Sequence, residues 1–188
     1  RIVLLVNPHP DDGEAFAAQL CAQAMHLNWT VHQLLATCDE YGTPDNRFKG
    51  YRIQRIRRAE MSHAAEIYSN YFRSSPSLQL HWMNYIDGHV PFSISSVHRL
   101  KRFIEKIHPD IIIGPDPFLY MDAHVDHLAV GKMYYFALRA ITEACRPHLI
   151  LLYQTLVPDI FLRSKFTQVI FQARMAHRSQ WGPQMGRL

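Results

Sequence analysis

The chain has 188 residues, 48% of them hydrophobic and 19% charged, a composition that fits a globular domain with a sizeable core and excludes a disordered chain. Three cysteines without a CxxC spacing exclude a disulfide framework and a Cys-type zinc site, and we expect a cytoplasmic protein. The net charge is +4, and apolar runs such as residues 111–113 and 149–152 are too short for the ~20 residues of a membrane span, so we expect no span.

Strand and helix patterns alternate along the whole chain. Short apolar runs predict strands at residues 1–7, 30–36, 78–83, 110–114 and 149–153. Helical periodicity predicts helices at residues 14–27, 52–68 and 96–107, from residue 127 onward, and at 164–177. This alternation predicts an α/β fold: a Rossmann-like, doubly wound, mostly parallel sheet with helices on both faces. The sequence has no repeat or convincing linker, so we expect a single domain over residues 1–188.

The densest cluster of positive charge is the segment RIQRIRR at residues 52–58. At helical spacing, Ile53 and Ile56 face a core, so the arginines between them are expected to form a solvated basic face. A nucleic-acid partner would require a recognisable binding fold or interleaved aromatic residues, and the sequence shows neither. We therefore expect no nucleic-acid partner.

The stretch NPHPDDGEA at residues 7–15 concentrates three carboxylates and one imidazole in the turn after the first predicted strand. A second polar loop, residues 115–126, follows the predicted strand at residues 110–114 and leads into HVDH at residues 124–127. In open α/β sheets, ligands bind outside the carboxyl ends of the strands. Because both loops leave carboxyl ends, we expect their side chains to converge on one point.

Histidine and carboxylate side chains suit zinc or a similar divalent ion, and a catalytic zinc site takes three protein ligands. His9 and Asp12 are three residues apart in one turn. His124 and His127 have the same spacing at the start of a predicted helix. Four candidates exceed the three ligands needed, which leaves one group for proton transfer, and Asp11 is a candidate base for water at the metal. The alternative is that an aspartate of this turn only caps the following helix.

These motifs resemble those of the PIG-L/LmbE family of zinc-dependent N-deacetylases. HPDDGE at residues 9–14 and HVDH at residues 124–127 are similar to the two site motifs of that family. Three further segments resemble family motifs in the same order: Thr37 with EYG at residues 40–42, RRAE at residues 57–60, and HRSQ at residues 177–180. The five ordered matches extend the resemblance over nearly the whole chain.

The resemblance implies a metal-dependent hydrolase that removes the N-acetyl group from an N-acetylglucosamine-containing sugar or sugar conjugate. Acetate and a free amine would be its products. The implied cofactor is Zn²⁺, with Fe²⁺ and Co²⁺ as alternatives. The implied partner is a small-molecule N-acetylated sugar, and assembly into a homo-oligomer is left open.

The resemblance also implies roles for individual residues. The implied metal ligands are His9, Asp12 and His127. Asp11 is implied as the general base. His124, oriented by Asp126, is implied to stabilise the oxyanion or to protonate the leaving amine. The implied substrate-binding residues are Arg57, Glu40 and Glu14.

The sequence departs from the family pattern in both site motifs. Gly13 separates the two aspartates from Glu14, whereas many members have Glu directly after the aspartates. Some sugar deacetylases carry a Tyr two residues before the first His of the second motif. This chain has Asp122 there and Tyr120 two residues further back, so a role for Tyr120 in catalysis is left open.

Two alternatives to these roles are carried forward. A non-catalytic nucleotide- or sugar-binding module would be expected to have G-x-G-x-x-G after the first strand, and the chain has PHPDDG at residues 8–13. Arg57 and Glu60 lie one helical turn apart, so an intrahelical ion pair is the alternative to a substrate contact of Arg57.

Overall fold

The computed structural model describes residues 1–73, 78–118 and 124–181. These residues contain five strands, at Ile2–Asn7 (β1), Thr30–Thr37 (β2), Gln79–Tyr85 (β3), Ile111–Pro115 (β4) and Leu149–Tyr153 (β5). The α-helices lie at Ala18–His26 (α1), Tyr51–Phe72 (α2), Ile94–Ile107 (α3), Val125–Ala140 (α4), Thr167–Ala176 (α5) and Arg178–Trp181 (α6). A π-helical turn, Gly13–Ala17, precedes α1, and a 3₁₀ turn, Glu143–Cys145, precedes β5.

The strands form one parallel sheet with the order β3-β2-β1-β4-β5. The chain runs outward from β1 to β3, then crosses back over the sheet and runs outward again through β4 and β5. This order confirms the predicted Rossmann-like, doubly wound α/β fold. It also creates a switch point between β1 and β4, where connections leave the sheet in opposite directions and ligands commonly bind.

Helices cover both faces of the sheet. The side chains that the central strand β1 presents to each face are apolar and buried. Val3 and Leu5 belong to a buried cluster that includes side chains of α1, α2 and α5. Leu4 and Val6 point to the opposite face and pack in a second cluster with α3 and α4. The near-continuous hydrophobic sequence of β1 therefore follows from its position at the centre of a two-faced core.

The predicted strands agree with the observed ones to within two residues. The helices differ more. The predicted helix 96–107 begins earlier, because the Ser93 side chain accepts from the Ser96 backbone N–H and the Ser96 hydroxyl accepts from Ser93 N–H in a capping box. The helix predicted at 14–27 was wrong at its start, where the π-helical turn stands instead. The helix predicted at 164–177 is observed as the shorter α5, and α6 follows it beyond the predicted range.

None of the helices among the described residues is both long and apolar enough to cross a bilayer. Tyr120 and Asp122 lie outside the described residues. The single domain over residues 1–188 and the cytoplasmic location stay predictions.

A histidine pair on the sheet is expected to make the free energy of unfolding depend on pH. His32 of β2 and His81 of β3 face each other, with His32 Nδ1 2.9 Å from His81 Nε2. Burial lowers the pKa of both imidazoles, and the positive charge of a neighbour, His81 for His32 and Lys106 for His81, lowers each further. In the unfolded chain both return to a pKa of about 6.5. Below that pH the unfolded chain binds more protons than the folded chain, so the free energy of unfolding decreases as the pH falls.

We expect the double variant His32→Asn, His81→Gln to lose part of this pH dependence. Urea unfolding at about pH 7.5 and about pH 5.5 should show a smaller decrease in unfolding free energy in the variant than in the wild type. His98→Gln, which removes an exposed histidine of α3, is the control and should leave the decrease unchanged. Equal decreases in the double variant and the wild type contradict the prediction.

Candidate active site

The two polar loops predicted to converge meet at the switch point of the sheet. His9 lies two residues after the end of β1, and His124 and His127 lie at the start of α4, after β4. The imidazole centroids of His9 and His127 are 5.2 Å apart, and those of His9 and His124 are 4.3 Å apart. The expected location of the site, outside the carboxyl ends of β1 and β4, is therefore the observed one.

The backbone of the first loop is held in an unusual conformation. Asp11 has a φ of 120°, which L-residues rarely adopt, so its conformation requires support from its surroundings. Pro8 ties the start of this loop to β2, because its carbonyl oxygen accepts hydrogen bonds from the Thr37 backbone N–H (3.0 Å) and hydroxyl (3.1 Å). A Cβ at Gly13 would stand 2.9 Å from Gln33 Oε1, so a larger residue at this position would require the Gln33 side chain to shift.

Three predicted ligands form a compact group of donors. His9 Nδ1 lies 3.3 Å from His127 Nε2 and 3.5 Å from Asp12 Oδ2. His127 Nε2 lies 3.4 Å from Asp12 Oδ1. A tetrahedral ion with bonds of 2.0–2.1 Å separates its ligand atoms by about 3.3 Å. The spacing and the chemistry of these donors therefore fit a zinc-sized ion.

The alternative role of Asp12 as a helix cap is not the one observed. Its side chain makes no capping hydrogen bond to the turn that follows. Asp12 Oδ2 instead accepts from the backbone N–H of His9 at 2.8 Å, which directs the carboxylate back toward the two imidazoles.

Gln154 is a residue of the site that the sequence did not indicate. It follows β5, and its Oε1 lies 2.8 Å from His127 Nδ1. An imidazole that binds a metal through one nitrogen usually donates its other N–H to such an acceptor, which fixes the ring and its tautomer. Gln154 is therefore suited to keep His127 Nε2 free as a ligand.

Two further carboxylates surround His9. Asp87 Oδ1 and Asp126 Oδ2 each lie 3.3 Å from His9 Nε2. Asp126 is buried and accepts hydrogen bonds from the backbone N–H groups of Gly88 (2.6 Å) and Val90 (3.1 Å). Burial alone would lower the pKa of His9, but hydrogen bonds with Asp12, Asp126 and Asp87 outweigh it and hold that pKa well above its usual value. The site is thus a concentration of negative charge that favours a cation.

Two other sets of three side chains among the described residues could also hold an ion. They are His9, His124 and His127, and His9, Asp87 and Asp126. The ligand atoms of each set lie within 4.8 Å of one another. Both sets share His9 with the predicted ligands. Its Nδ1 faces Asp12 and His127, whereas its Nε2 faces Asp87 and Asp126, so donors surround the imidazole of His9 on two sides.

Asp11, the predicted base, lies beside the donor group with its carboxylate held on two sides. Asp11 Oδ2 accepts a hydrogen bond from Trp181 Nε1 at 3.1 Å, and Asp11 Oδ1 is 3.9 Å from Arg57 Nη2. Burial raises the pKa of Asp11 to about 6, against the opposing effect of the Arg57 guanidinium. Trp181 follows the HRSQ segment directly, and no pattern in the sequence linked it to Asp11.

Arg57 is buried and turned toward the site. Its Nη2 contacts Asp39 Oδ2 as well as Asp11, while its Nε and Nη1 have no hydrogen-bond partner among the described residues. Arg57 forms no ion pair with Glu60 among the described residues. Glu60 instead accepts from the Ser179 backbone N–H (2.7 Å) and hydroxyl (2.6 Å), which attaches the HRSQ segment to α2.

The other two predicted substrate-binding residues lie behind the site. Glu14 is buried, with its Oε2 3.3 Å from Nε2 of the equally buried His177. Glu40 Oε1 accepts from the backbone N–H of Asp87 at 3.1 Å, which fixes the turn that carries Asp87. Neither glutamate is among the described residues that line the cleft beside His9 and Asp11. The substrate contacts of both glutamates stay predictions.

A cleft of about 330 Å³ opens above the donor group. His9, Asp11, Arg57 and His124 line it, and Tyr41 and Gln180 form part of its rim. A larger cavity of about 570 Å³ lies beyond Phe16 and is lined mainly by apolar side chains around β5. The smaller cleft is the better candidate for the substrate site, because of these two cavities it alone brings an imidazole, a carboxylate and a guanidinium together.

His124 occupies the exposed side of this cleft. As the N-cap residue of α4, it accepts through Nδ1 from the backbone N–H of Asp126 at 3.4 Å. Burial and the neighbouring His9 and His127 lower the pKa of His124, while the Asp126 carboxylate opposes them. His124 therefore stands where it can face a molecule that enters the cleft.

A parallel, doubly wound sheet with histidine and aspartate donors at its switch point defines a Rossmann-like protein with a site of metal-binding type. The family model described as GlcNAc-PI de-N-acetylase, PIG-L, matches residues 4–138. The chain belongs to this family, and the predicted membership is confirmed.

Two similar proteins are diacetylchitobiose deacetylases. The diacetylchitobiose deacetylase of Thermococcus kodakarensis is 26% identical over 146 residues, which are 78% of this chain and 51% of that protein. The chain thus spans about half the length of this curated relative. The N,N'-diacetylchitobiose deacetylase structure from Pyrococcus horikoshii has a TM-score of 0.83 and 24% identity, and the match covers 98% of this chain and 72% of that one.

The same fold also occurs in a protein with a different activity. The structure of GalB, a 4-carboxy-2-hydroxymuconate hydratase from Pseudomonas putida KT2440, has a TM-score of 0.62 and 16% identity, with coverage of 74% of this chain and 56% of that one. The fold alone therefore does not select the reaction, which has to be argued from the site.

Proposed function

We propose that this protein is a metal-dependent hydrolase that removes the N-acetyl group from an N-acetylglucosamine-containing sugar or sugar conjugate. One observation carries the proposal: the donors of His9, Asp12 and His127 lie 3.3–3.5 Å from one another, and His9 lines a cleft together with the Asp11 carboxylate. Family membership and the deacetylase relatives support the same reaction.

The three donors would hold the ion, and zinc suits a ligand set of two imidazoles and one carboxylate. A bound divalent ion supplies a Lewis acid that polarises the amide carbonyl and makes water more acidic. Gln154 would keep the ring of His127 in the ligating orientation through its contact with Nδ1. Fe²⁺ and Co²⁺ are the alternative ions.

Asp11 is the base in this proposal. Its carboxylate would take a proton from the water that attacks the amide carbonyl carbon. The indole N–H of Trp181 holds one carboxylate oxygen and the Arg57 guanidinium lies near the other, so the group is oriented without being bound to the ion. Positioning of this kind keeps the base within reach of the water throughout the reaction.

His124 would act on the opposite side of the substrate. From the exposed side of the cleft, its imidazole can donate a hydrogen bond to the carbonyl oxygen as negative charge develops, or a proton to the leaving nitrogen. Burial and the neighbouring His9 and His127 lower the pKa of His124, although the Asp126 carboxylate opposes them, so the neutral ring is favoured. Because Nδ1 accepts from the Asp126 backbone N–H, the neutral ring would carry its proton on Nε2 and could donate it. The amide C–N bond breaks, water supplies the oxygen of acetate, and the sugar leaves as a free amine.

Arg57 would hold the part of the substrate that does not react. Its Nε and Nη1 have no partner among the described residues, and a guanidinium offers forked donors to hydroxyl or carboxylate oxygens. We expect Arg57→Ala to lower kcat/KM by about 5- to 150-fold, the equivalent of ~1–3 kcal/mol for a lost charged hydrogen bond. Steady-state kinetics with parallel metal analysis measures this, and the metal content should not change.

Arg58→Ala is the matched control for Arg57→Ala. Arg58 is the next residue of α2, yet its guanidinium lies over Trp82 at the edge of the sheet, 4.3 Å from the ring centroid. Its removal should leave kcat/KM within about twofold of the wild type. Equal losses in both variants mean that the effect is general electrostatics, and the substrate role of Arg57 is then wrong.

A screen for acetate release tests the proposed reaction. The zinc-loaded protein is incubated with N-acetylglucosamine conjugates and chito-oligosaccharides, and acetate and free amine are quantified together. We expect both products in equal amounts from at least one substrate class. Sugar binding without release of acetate from any of these substrates favours the non-catalytic module.

A further inference from the structure

The free edge of β3 carries a groove that is separate from the candidate active site. β3 is the outermost strand, so among the described residues it pairs with β2 alone and its outer backbone N–H and C=O groups have no strand partner. The groove along this edge has a volume of about 500 Å³. Free edges are usually protected by lysine, arginine or proline in the strand, and the sequence of β3, QLHWMNY, has none of these.

Positive charge reaches the groove from both faces of the sheet. Arg99, Arg102 and Lys106 lie at positions i, i+3 and i+7 of α3 and line one wall. Arg58 of α2 lines the other wall. None of the ion pairs between described residues involves these four side chains. The groove therefore offers four cations to a ligand.

Aromatic rings hold two of these cations in place without neutralising them. The Arg58 guanidinium stacks on Trp82 at 4.3 Å and donates to Asn84 Oδ1 at 2.5 Å. The Arg99 guanidinium lies over Tyr85, 5.1 Å from the ring centroid. Contacts of this kind reduce the conformational freedom of each side chain and keep its charge available.

We propose that this groove binds an extended acidic polypeptide segment, which adds to β3 as a further strand. A peptide backbone supplies both donors and acceptors to the free edge. Side chains of an added strand alternate between the two faces, where they would meet Arg58 on one side and the three cations of α3 on the other. Seven residues of helix rise about 10 Å, which is the rise of about three strand residues, so acidic side chains two to four positions apart in the added strand would span the basic row.

Charge selects this occupant over two others. A second copy of the chain, paired edge to edge, would bring two basic grooves together and repel itself. A nucleic acid would satisfy the cations, but its phosphates are only acceptors and would leave the C=O groups of β3 without partners. An acidic peptide satisfies both the cations and the backbone edge.

Fluorescence anisotropy with a labelled peptide of alternating Glu and Thr, about eight residues long, tests the proposal. We expect saturable binding to the wild-type protein and at least tenfold weaker binding to the variant Arg102→Glu, Lys106→Glu. The control is Lys132→Glu, Arg139→Glu, two exposed residues of α4, which makes the same change in net charge and should alter binding less than about twofold.

Strand addition is separated from simple charge attraction by two measurements on the wild-type protein. Peptide binding should slow hydrogen exchange of β3 amides, and the same peptide with alternate backbone nitrogens methylated should bind at least tenfold more weakly. Absence of peptide binding, equal binding of the methylated peptide, or tighter binding of a single-stranded oligonucleotide of equal charge overturns the proposal.

Discussion

Asp11→Asn is expected to keep the bound metal and to lose about two to four orders of magnitude in turnover, the usual contribution of a positioned base. The substitution preserves the shape of the side chain and an oxygen that can accept from Trp181 Nε1, 3.1 Å away in the wild type. It removes the group that can take a proton from water. Measurement of kcat with zinc content determined on the same samples tests the expectation.

Asp39→Asn is the matched control for this base. Asp39 contacts the same guanidinium, Arg57, as Asp11 does. Unlike Asp11, it does not belong to the loop that carries His9 and Asp12. Its substitution removes an equal charge from the surroundings of Arg57 and should cost less than about tenfold in kcat. A loss equal to that of Asp11→Asn means that both act through Arg57. Loss of the metal in Asp11→Asn, with proportionate activity per bound ion, means that base and ligand are exchanged.

The fold was predictable because its signals are local. The apolar run of β1 is short enough for a strand and is followed by a helical pattern, and the same alternation recurs through β5. Convergence of the two polar loops then followed from one rule, that parallel strands present their carboxyl ends at one edge. His9 and His127 are 118 residues apart in sequence, yet their ring nitrogens lie 3.3 Å apart.

The residues that support the site were not predictable in the same way. Asp87, Gln154 and Trp181 each contact a predicted site residue, but none belongs to a spacing pattern, because each reaches the site from a different element. For Asp87 a weak signal existed, since it follows β3 and so lies at the same sheet edge as the two loops. For Gln154 and Trp181 only the three-dimensional packing reveals the contact.

Arg57 shows how a helical spacing can mislead. Arg57 and Glu60 are one turn apart, and an isolated helix would favour their ion pair by ~0.2–0.5 kcal/mol. Tertiary contacts outweigh that energy, because the buried guanidinium meets two carboxylates of the site and Glu60 receives two hydrogen bonds from Ser179. A local pairing rule fails where both partners have stronger distant partners.

The wild-type protein is expected to bind about one zinc ion per chain, and His127→Ala is expected to weaken zinc binding by more than the 10–100-fold that loss of an outer hydrogen bond costs. Gln154→Ala, which removes only the contact to His127 Nδ1, should fall within that 10–100-fold range. Competition with a chromophoric chelator measures both affinities. The double variant His9→Ala, His127→Ala should bind no stoichiometric zinc.

The decisive comparison is between His127→Ala and His124→Ala, because both imidazoles belong to a set of donors around His9 and stand on the same helix end. If His9, Asp12 and His127 hold the ion, His124→Ala keeps zinc affinity within about tenfold and loses turnover, since it removes a group that acts on the substrate. His98→Ala, an exposed histidine of α3, should change neither quantity. Zinc loss in His124→Ala with retention in His127→Ala would mean that the third ligand is His124, and the proton transfer to the leaving amine would then need another group.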